Sequence, residues 1–180
     1  MGQKNSNDKI ELKIGKHAPE LAICWYVAKI LAEEDFLTWF VNRYSKSEDT
    51  ITIESAEIIR EYAIGSKRID ICILLTDTEN TKRAFVIEVK VHWPEQEPLN
   101  ESLITFEQER PEYKGNIVGL HFISTVVRKQ LEALCRVRND FECEIIRVQE
   151  FIGDFCLLGI EKGFSLRWAS DLHQLLEYEE

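Results

Sequence analysis

The chain has 180 residues, 44% of them hydrophobic and 10% aromatic, which is enough for one domain with a full apolar core. No run of about eighteen apolar residues is present, and residues 1–16 lack the apolar stretch of a signal peptide, so we expect a cytoplasmic protein without a membrane partner. The net charge of −10 counts against a simple nucleic-acid binder, because phosphate contacts need clustered Lys and Arg.

Five cysteines lie at wide spacings without a Cys-x-x-Cys pair. They are Cys24, Cys72, Cys135, Cys143 and Cys156. Because their number is odd and most lie inside apolar runs, we expect reduced, buried thiols rather than disulfides or a zinc site.

Hydrophobic periodicity and turn residues predict a mixed α/β fold, with residues 1–16 disordered and residues 17–180 forming a single domain. In chain order, the predicted elements are helices over Ala18–Ala32 and Glu34–Tyr44, strands over Thr52–Ile64, Lys67–Leu75 and Arg83–His92, a helix over Asn100–Arg110, a strand over Asn116–Ser124, a helix over Val126–Arg138, a strand over Glu142–Val148, a short helix over Gln149–Phe155, a strand over Phe164–Trp168 and a closing helix over Asp171–Tyr178. A crossover helix between the third and fourth strands makes these two strands parallel. The expected architecture is a mixed β-sheet flanked by helices in two or three layers.

Three charged side chains interrupt the second and third predicted strands. Asp70 lies in the run RIDICILL, and Glu88 and Lys90 lie in FVIEVKV. Burying such groups costs several kcal/mol unless they are paired or bound to a metal. Side chains two residues apart share a strand face, so Glu88 and Lys90 point the same way, and an antiparallel hairpin closed by TDTENT brings Asp70 beside Glu88. We therefore predict that Asp70, Glu88 and Lys90 converge, and we call them the charged patch.

Two neighbouring carboxylates suit a hard divalent cation, and Mg²⁺ is the usual choice for phosphate chemistry. An ammonium beside the metal can orient the attacking water and offset charge that develops on a phosphate. The charged patch therefore indicates phosphodiester hydrolysis.

These residues resemble the PD-(D/E)XK nuclease superfamily, whose fold is restriction-endonuclease-like. Asp70 in an Ile-rich strand, a turn, Glu88-Val89-Lys90 on the next strand, a helix and a further apolar strand follow the order of that family. The chain is most similar to the branch with an N-terminal Ser-Leu-Ala-Trp-Leu-Leu type helix, because Glu20 precedes Cys24 at the spacing at which that branch places Glu before Ser. The resemblance covers roughly residues 17–125.

The resemblance implies cleavage of DNA or RNA that depends on Mg²⁺, with Mn²⁺ able to substitute. Asp70 and Glu88 would be metal ligands, the Val89 backbone carbonyl a further ligand, and Lys90 the neighbour of the water. In the family a Glu from the first helix often reaches the metal through water, which would add Glu20 to the catalytic residues. The alternative is that Glu20 only stabilises the helix N-terminus.

Two positions depart from the branch, which has Gln-Leu-x-x-Tyr on the helix after the catalytic strand. Here Ser102 and Phe106 stand at the two polar positions, so the helix matches in pattern only. Glu57 and Glu61 are weaker site candidates, for which a solvated strand face is the preferred interpretation.

Basic and aromatic residues near the patch are candidates for substrate binding. Lys67 and Arg68 precede Asp70, and Trp93 in the loop after Lys90 can stack on a base. Each basic pair also fits a solvated turn or helix face, and His92 fits a surface strand end. Further basic residues gather at Lys82-Arg83, at Arg128-Lys129 and around Arg136 and Arg138.

The main functional hypothesis is a divalent-metal-dependent nuclease that hydrolyses phosphodiester bonds in nucleic acid, with DNA favoured over RNA. Two alternatives remain open: a catalytically degenerate nuclease-fold module that acts in protein assembly or recognition, and a small-molecule phosphodiesterase. Cutting two strands favours a homodimer, and the acidic surface raises the alternative of an accessory protein.

Overall fold

The computed structural model describes residues 18–45, 47–90, 98–123 and 143–177. Its helices are α1 (Ala18–Leu31), α2 (Glu34–Tyr44), α3 (Pro98–Glu109), α4 (Val148–Lys162) and α5 (Arg167–Glu177), with a 3-10 helix at Pro111–Tyr113. Its strands are β1 (Ile53–Ile64), β2 (Lys67–Asp77), β3 (Lys82–Lys90), β4 (Ile117–Ile123) and β5 (Cys143–Arg147). Among these helices, none has the length and apolar content needed to cross a membrane.

Within the described ranges, one mixed sheet has the strand order β1-β2-β3-β4-β5. The pairs β1–β2 and β2–β3 are antiparallel, whereas β3–β4 and β4–β5 are parallel. Helix α3 lies in the connection from β3 to β4, as a parallel pair requires. The predicted mixed α/β sheet is confirmed, and a hairpin followed by a helix and a parallel strand is the order expected of a restriction-endonuclease-like fold.

The turn between β2 and β3 is organised by Asp77. Its Oδ1 accepts hydrogen bonds from the backbone amides of Glu79 and Thr81, and its Oδ2 accepts one from Nε of Arg83 at 3.0 Å. Asn80 takes the left-handed conformation (φ 63°), which Asn tolerates better than most residues. This closed turn sets the register of the hairpin, in which Ile71 lies opposite Ile87.

The two faces of the sheet pack against different helices. One face contributes Ile71, Ile73, Leu75, Phe85, Ile87 and Val89 to a core shared with α1, α2, α4 and α5. The other face contributes Cys72, Leu74, Ala84 and Val86 to a smaller core with Leu99, Leu103 and Phe106 of α3. The described part of the chain is therefore three-layered. Period-two alternation assigns the side chains to the layers from Ile71 onward in β2, whereas Ile69 packs in the smaller core with α3.

The segment before α5 does not form the predicted strand over Phe164–Trp168. Residues 164–166 have no regular structure, and α5 already begins at Arg167. Gly163 ends α4 in the left-handed conformation (φ 81°), and the Phe164 ring then packs on Phe155 at 4.9 Å between ring centroids. Phe164 and Leu166 are two residues apart, as alternating residues of a strand are, but both side chains pack back on α4.

Helix α4 is also longer than the predicted Gln149–Phe155, because it continues to Lys162. Gly159 lies inside it, where a Cβ atom would meet the side chains of Phe164 and Leu166. The glycine is therefore required by close packing and does not end the helix. The predictions for residues 1–16, for the loop around Trp93 and for the helix Val126–Arg138 fall outside the described residues.

Candidate active site

The end of the β2–β3 hairpin carries the charged patch. Glu88 is only 2% exposed, and its Oε2 lies 3.6 Å from Nζ of Lys90 on the same strand face. The Asp70 carboxyl lies close enough to Glu88 to raise the pKa of that group. The predicted convergence of the three side chains is thus present, because antiparallel pairing places even-numbered residues of both strands on one face.

Asp70 also bonds to the backbone of the neighbouring strand. Its Oδ2 accepts a hydrogen bond from the amide of Val89 at 2.8 Å. The β2–β3 ladder ends at the pair Ile71 and Ile87, so Asp70 and Glu88 are the first residues beyond it. The Asp70 side chain therefore satisfies a strand amide just past the end of the ladder, and this bond orients its carboxylate.

Helix α3 contributes a hydroxyl to the patch. Ser102 is 2% exposed, and its Oγ donates a hydrogen bond to Oε1 of Glu88 at 3.3 Å. Ser102 stands at the position of the Gln in the resembling branch, and from the sequence this helix was expected to match that branch in pattern only. The structure shows that the side chain at this position still contacts the Glu88 carboxylate.

Burial, and after it the negative charge of Asp70, raise the pKa of Glu88 from its ordinary value of 4.5 to about 8. The Lys90 ammonium and the Ser102 hydroxyl act in the opposite direction. Two carboxyl groups in contact, with one nearby ammonium, retain a proton near neutral pH in the absence of another cation. A divalent cation could take the place of that proton.

The donor chemistry of the patch fits Mg²⁺ or Mn²⁺. Asp70 and Glu88 supply carboxylate oxygens, and Val89, the residue after Glu88, adds a backbone carbonyl. No group of three or more His, Cys, Asp or Glu side chains in the described ranges is arranged to hold a metal ion. Mg²⁺ tolerates this small number of protein ligands because it keeps several of its waters.

Helix α1 approaches the patch through Cys24, a thiol with 3% exposure. Burial raises its pKa, and the negative charges of Asp70, Glu20 and Glu88 raise it further. All three carboxylates thus lie within electrostatic range of one thiol. The first turn of α1 therefore places Glu20 on the same side of the molecule as the patch.

Two of the substrate-binding candidates are engaged by glutamates. Lys67 forms an ion pair with Glu101 on α3, and Nη1 of Arg68 lies 3.0 Å from Oε1 of Glu61. The Arg68 side chain is 69% exposed. Trp93, the third candidate, lies outside the described residues.

Other charged candidates are accounted for by the surface and the hairpin turn. Glu57 and Glu61 are exposed on β1, which confirms the solvated-face interpretation. Lys82 is exposed, and Arg83 pairs with Asp77 in the turn. A cavity of about 300 Å³ lies beside Arg83 and Asn116, at the end of β3 opposite to the patch, so the patch itself does not line it.

The sequence analysis missed His121, in the middle of the apolar run of β4. It lies opposite Glu88 in the parallel β3–β4 ladder and is 6% exposed. Burial lowers its pKa to about 4, and the charge of Lys90 contributes to this shift. The signal was available, since a polar residue interrupts an apolar strand here just as Asp70 and Glu88 do.

No family model and no curated protein is a significant match to the chain. Among solved structures, it is similar to a repair endonuclease from Pyrococcus abyssi, with 16% identity, a TM-score of 0.36 and coverage of 68% of this chain and 45% of that one. It is also similar to EndoMS in a complex with double-stranded DNA, with 15% identity, a TM-score of 0.32 and coverage of 79% of this chain and 48% of that one. The chain spans less than half the length of each.

Proposed function

We propose that the chain is a divalent-metal-dependent nuclease that hydrolyses phosphodiester bonds in nucleic acid, in DNA rather than RNA. The observation that supports this most directly is the contact of Asp70 with Glu88, with Lys90 Nζ 3.6 Å from Glu88. Such a buried arrangement is unfavourable for stability, since like charges in a poorly solvated site repel. A bound cation would compensate the repulsion between the two carboxylates and would therefore explain why they lie together.

In this proposal Asp70, Glu88 and the Val89 carbonyl hold Mg²⁺, and Mn²⁺ can replace it. The metal supplies Lewis-acid activation of the phosphate and of a water molecule. Lys90 orients that water and offsets the negative charge that develops on the phosphate oxygens. Ser102 holds the Glu88 carboxylate in place, and Glu20 reaches the same ion through a water.

Substrate contacts in this proposal come from Lys67, Arg68 and Trp93, which flank the patch in sequence. Lys67 and Arg68 are paired with Glu101 and Glu61, so phosphate groups would have to displace these glutamates. A homodimer would place two sites against the two strands of a duplex, and an accessory protein would supply further positive charge.

The same two ion pairs favour a second candidate, a small-molecule phosphodiesterase. A short substrate needs no extended basic groove, and the described cations beside the patch are already compensated. The metal chemistry would be unchanged.

The test compares cleavage of linear, branched and single-stranded DNA, of RNA and of bis(p-nitrophenyl) phosphate, with Mg²⁺, Mn²⁺ or EDTA. Lys90→Met is matched by Lys82→Met, which removes an exposed ammonium from the other end of the same strand. We expect metal-dependent cutting of DNA that Lys90→Met reduces by about 10² or more and Lys82→Met leaves unchanged. Equal activity of the two variants would reject the site, and cleavage of the small diester alone would select the second candidate.

Metal binding tests the degenerate-module alternative without any substrate. Calorimetric titration with Mn²⁺ should show binding that Glu88→Gln abolishes. A protein with neither Mn²⁺ binding nor cleavage would contradict the proposed function.

A further inference from the structure

His121 is a buried histidine with an unsatisfied ring nitrogen. Its side chain is 6% exposed, and within the described part of the chain no group forms a hydrogen bond with its buried Nδ1 atom. A buried polar atom without a partner lowers stability, so such atoms are rare and call for an explanation. A ligand absent from the free protein is one such explanation.

The position of His121 places its unsatisfied nitrogen beside the charged patch. His121 lies directly opposite Glu88 in the parallel β3–β4 ladder, and residues paired in this way project from the same face of the sheet. The Lys90 charge acts on the imidazole, so the ammonium lies near it as well. The unsatisfied nitrogen therefore belongs to the surroundings of the charged patch and not to a separate pocket.

The chemical state of the imidazole restricts its role. The imidazole is 6% exposed and lies beside the strand that carries the Lys90 ammonium, and both conditions favour the uncharged ring. A neutral imidazole has one nitrogen that donates and one that accepts. Beside an ammonium and a carboxylate, it can bind a neutral oxygen ligand without adding charge to the site.

We propose that His121 is a further catalytic residue, whose Nδ1 accepts a hydrogen bond from the attacking water at the charged patch. This inference rests on the proposed nuclease function. With the ring proton on Nε2, the water donates to Nδ1 and keeps an oxygen lone pair directed at phosphorus. Lys90 lies near the same water, so the two side chains together restrict its orientation.

Three substitutions of His121 separate this role from a structural one. In His121→Asn the amide group lies where Nδ1 was, whereas in His121→Gln it reaches the Nε2 position, and His121→Leu has no polar atom. We expect kcat for DNA to fall about 10²-fold in the Leu and Gln variants at nearly unchanged KM. The kcat of the Asn variant should be at least about tenfold higher than that of the other two. Loss of water alignment affects kcat, because substrate affinity does not depend on it.

Stability measurements accompany the kinetics. Removal of an unsatisfied polar atom should leave the melting temperature of His121→Leu equal to or above that of the wild type. A stable Leu variant with wild-type kcat would overturn the proposal. If the Leu variant does not fold, the ratio of Asn to Gln activity decides, and equal activity of these two variants would also overturn it.

A spectroscopic experiment gives a readout independent of cleavage. The ring-nitrogen NMR signals of His121 are followed while Mg²⁺ is added to the DNA-free protein, with exposed His173 on α5 as the internal control. We expect the Nδ1 signal to move in the wild type and not in Glu88→Gln, because an ion held by Glu88 brings ordered water to the patch. An unmoved signal would overturn the proposal.

The two experiments also distinguish failure of this proposal from failure of the nuclease assignment. If the wild-type protein cuts nucleic acid but the His121 variants behave like it, only the His121 proposal fails. If the wild-type protein cuts nothing, the nuclease assignment fails, and the Mg²⁺ response of His121 then decides whether this residue faces a ligand.

Discussion

The Asp70 carboxylate accepts a hydrogen bond from the backbone amide of Val89 at 2.8 Å, immediately past the last recorded ladder pair of the hairpin. One side chain therefore connects the end of β2 to the strand that carries Glu88 and Lys90. The structural and the proposed catalytic contributions of Asp70 are different properties, since the bond needs an oxygen acceptor and the metal needs a charge.

Replacing Asp70 by Ala or by Asn separates these two contributions. Asp70→Ala leaves the partly buried Val89 amide without its acceptor and should lower the free energy of unfolding by about 1–3 kcal/mol. Asp70→Asn keeps an oxygen acceptor and removes the repulsion with Glu88, so it should be at least as stable as the wild type in EDTA, while both variants lose Mn²⁺ binding. Urea denaturation in EDTA measures the stability, and an Asn variant as unstable as the Ala variant would contradict the assigned hydrogen bond.

The Glu88 carboxyl should make the stability of the metal-free protein fall as the pH rises from about 4.5 to about 8. His121, whose pKa is lowered from 6.5 to about 4, has the opposite effect up to pH 6.5, so the net fall should lie between about 6.5 and 8. Burial and the Asp70 charge raise the pKa of Glu88 from its ordinary value of 4.5 to about 8, so in this window the folded state holds a proton that the unfolded state has lost. Stability falls with pH wherever the folded state binds more protons, and it levels off above the folded-state pKa. The unfolding free energy of the wild type, measured relative to that of Glu88→Gln at the same pH, should therefore decline steadily across this window. A profile unchanged by the substitution would assign the decline to other groups.

Loss of the Ser102 hydroxyl should weaken metal binding. Its hydrogen bond to Glu88 lowers the pKa of that carboxyl, so Ser102→Ala should raise the pKa further and reduce Mn²⁺ affinity at neutral pH by about three- to tenfold. The deficit should shrink as the pH rises, because a metal competes with the proton. Thr105→Ala is the matched control, since it removes a hydroxyl of the same helix that bonds only to the Glu101 carbonyl. Equal affinities of both variants would exclude a role for Ser102.

Two glycines of α4 should respond in opposite ways to alanine. A Cβ at Gly159 would lie 2.7 Å from the Phe164 ring and also against Leu166, so Gly159→Ala should destabilise the protein by about 1–3 kcal/mol. Gly153 is exposed and has nothing within 4 Å of its added Cβ, so Gly153→Ala should stabilise it by about 0.5–1 kcal/mol. Thermal unfolding of the two variants checks this, and a stabilised Gly159→Ala would show that the inter-helix turn packs more loosely than described.

The hairpin and its faces could be predicted because local rules decide them. Alternation along β2 and β3 places Asp70, Glu88 and Lys90 on one face, and the polar segment around Asp77 closes the turn. The helices α1 and α2 follow from their periodicity, and their observed bounds lie within one residue of the predicted ones.

The errors and omissions lie where distant residues decide the outcome. The apolar pair Phe164 and Leu166 has the spacing of a strand, but both side chains pack back on α4, which local pattern does not reveal. The Ser102 contact with Glu88 depends on how α3 crosses the sheet. Likewise, His121 becomes a neighbour of Glu88 only through the register of the parallel β3–β4 pair.

The sequence by itself determined which residues share a strand face and which of them carry charge, because backbone geometry sets the period of a strand. It also determined the donor groups of the patch, two carboxylates and an ammonium, on which the proposed metal site is based. Only the tertiary structure decided that Glu88 is buried against Ser102, that Lys67 and Arg68 are paired with glutamates, and that an unsatisfied histidine lies across from Glu88. Those relations join residues far apart in the chain, and their energies depend on burial and distance, which exist only once the helices have packed on the sheet.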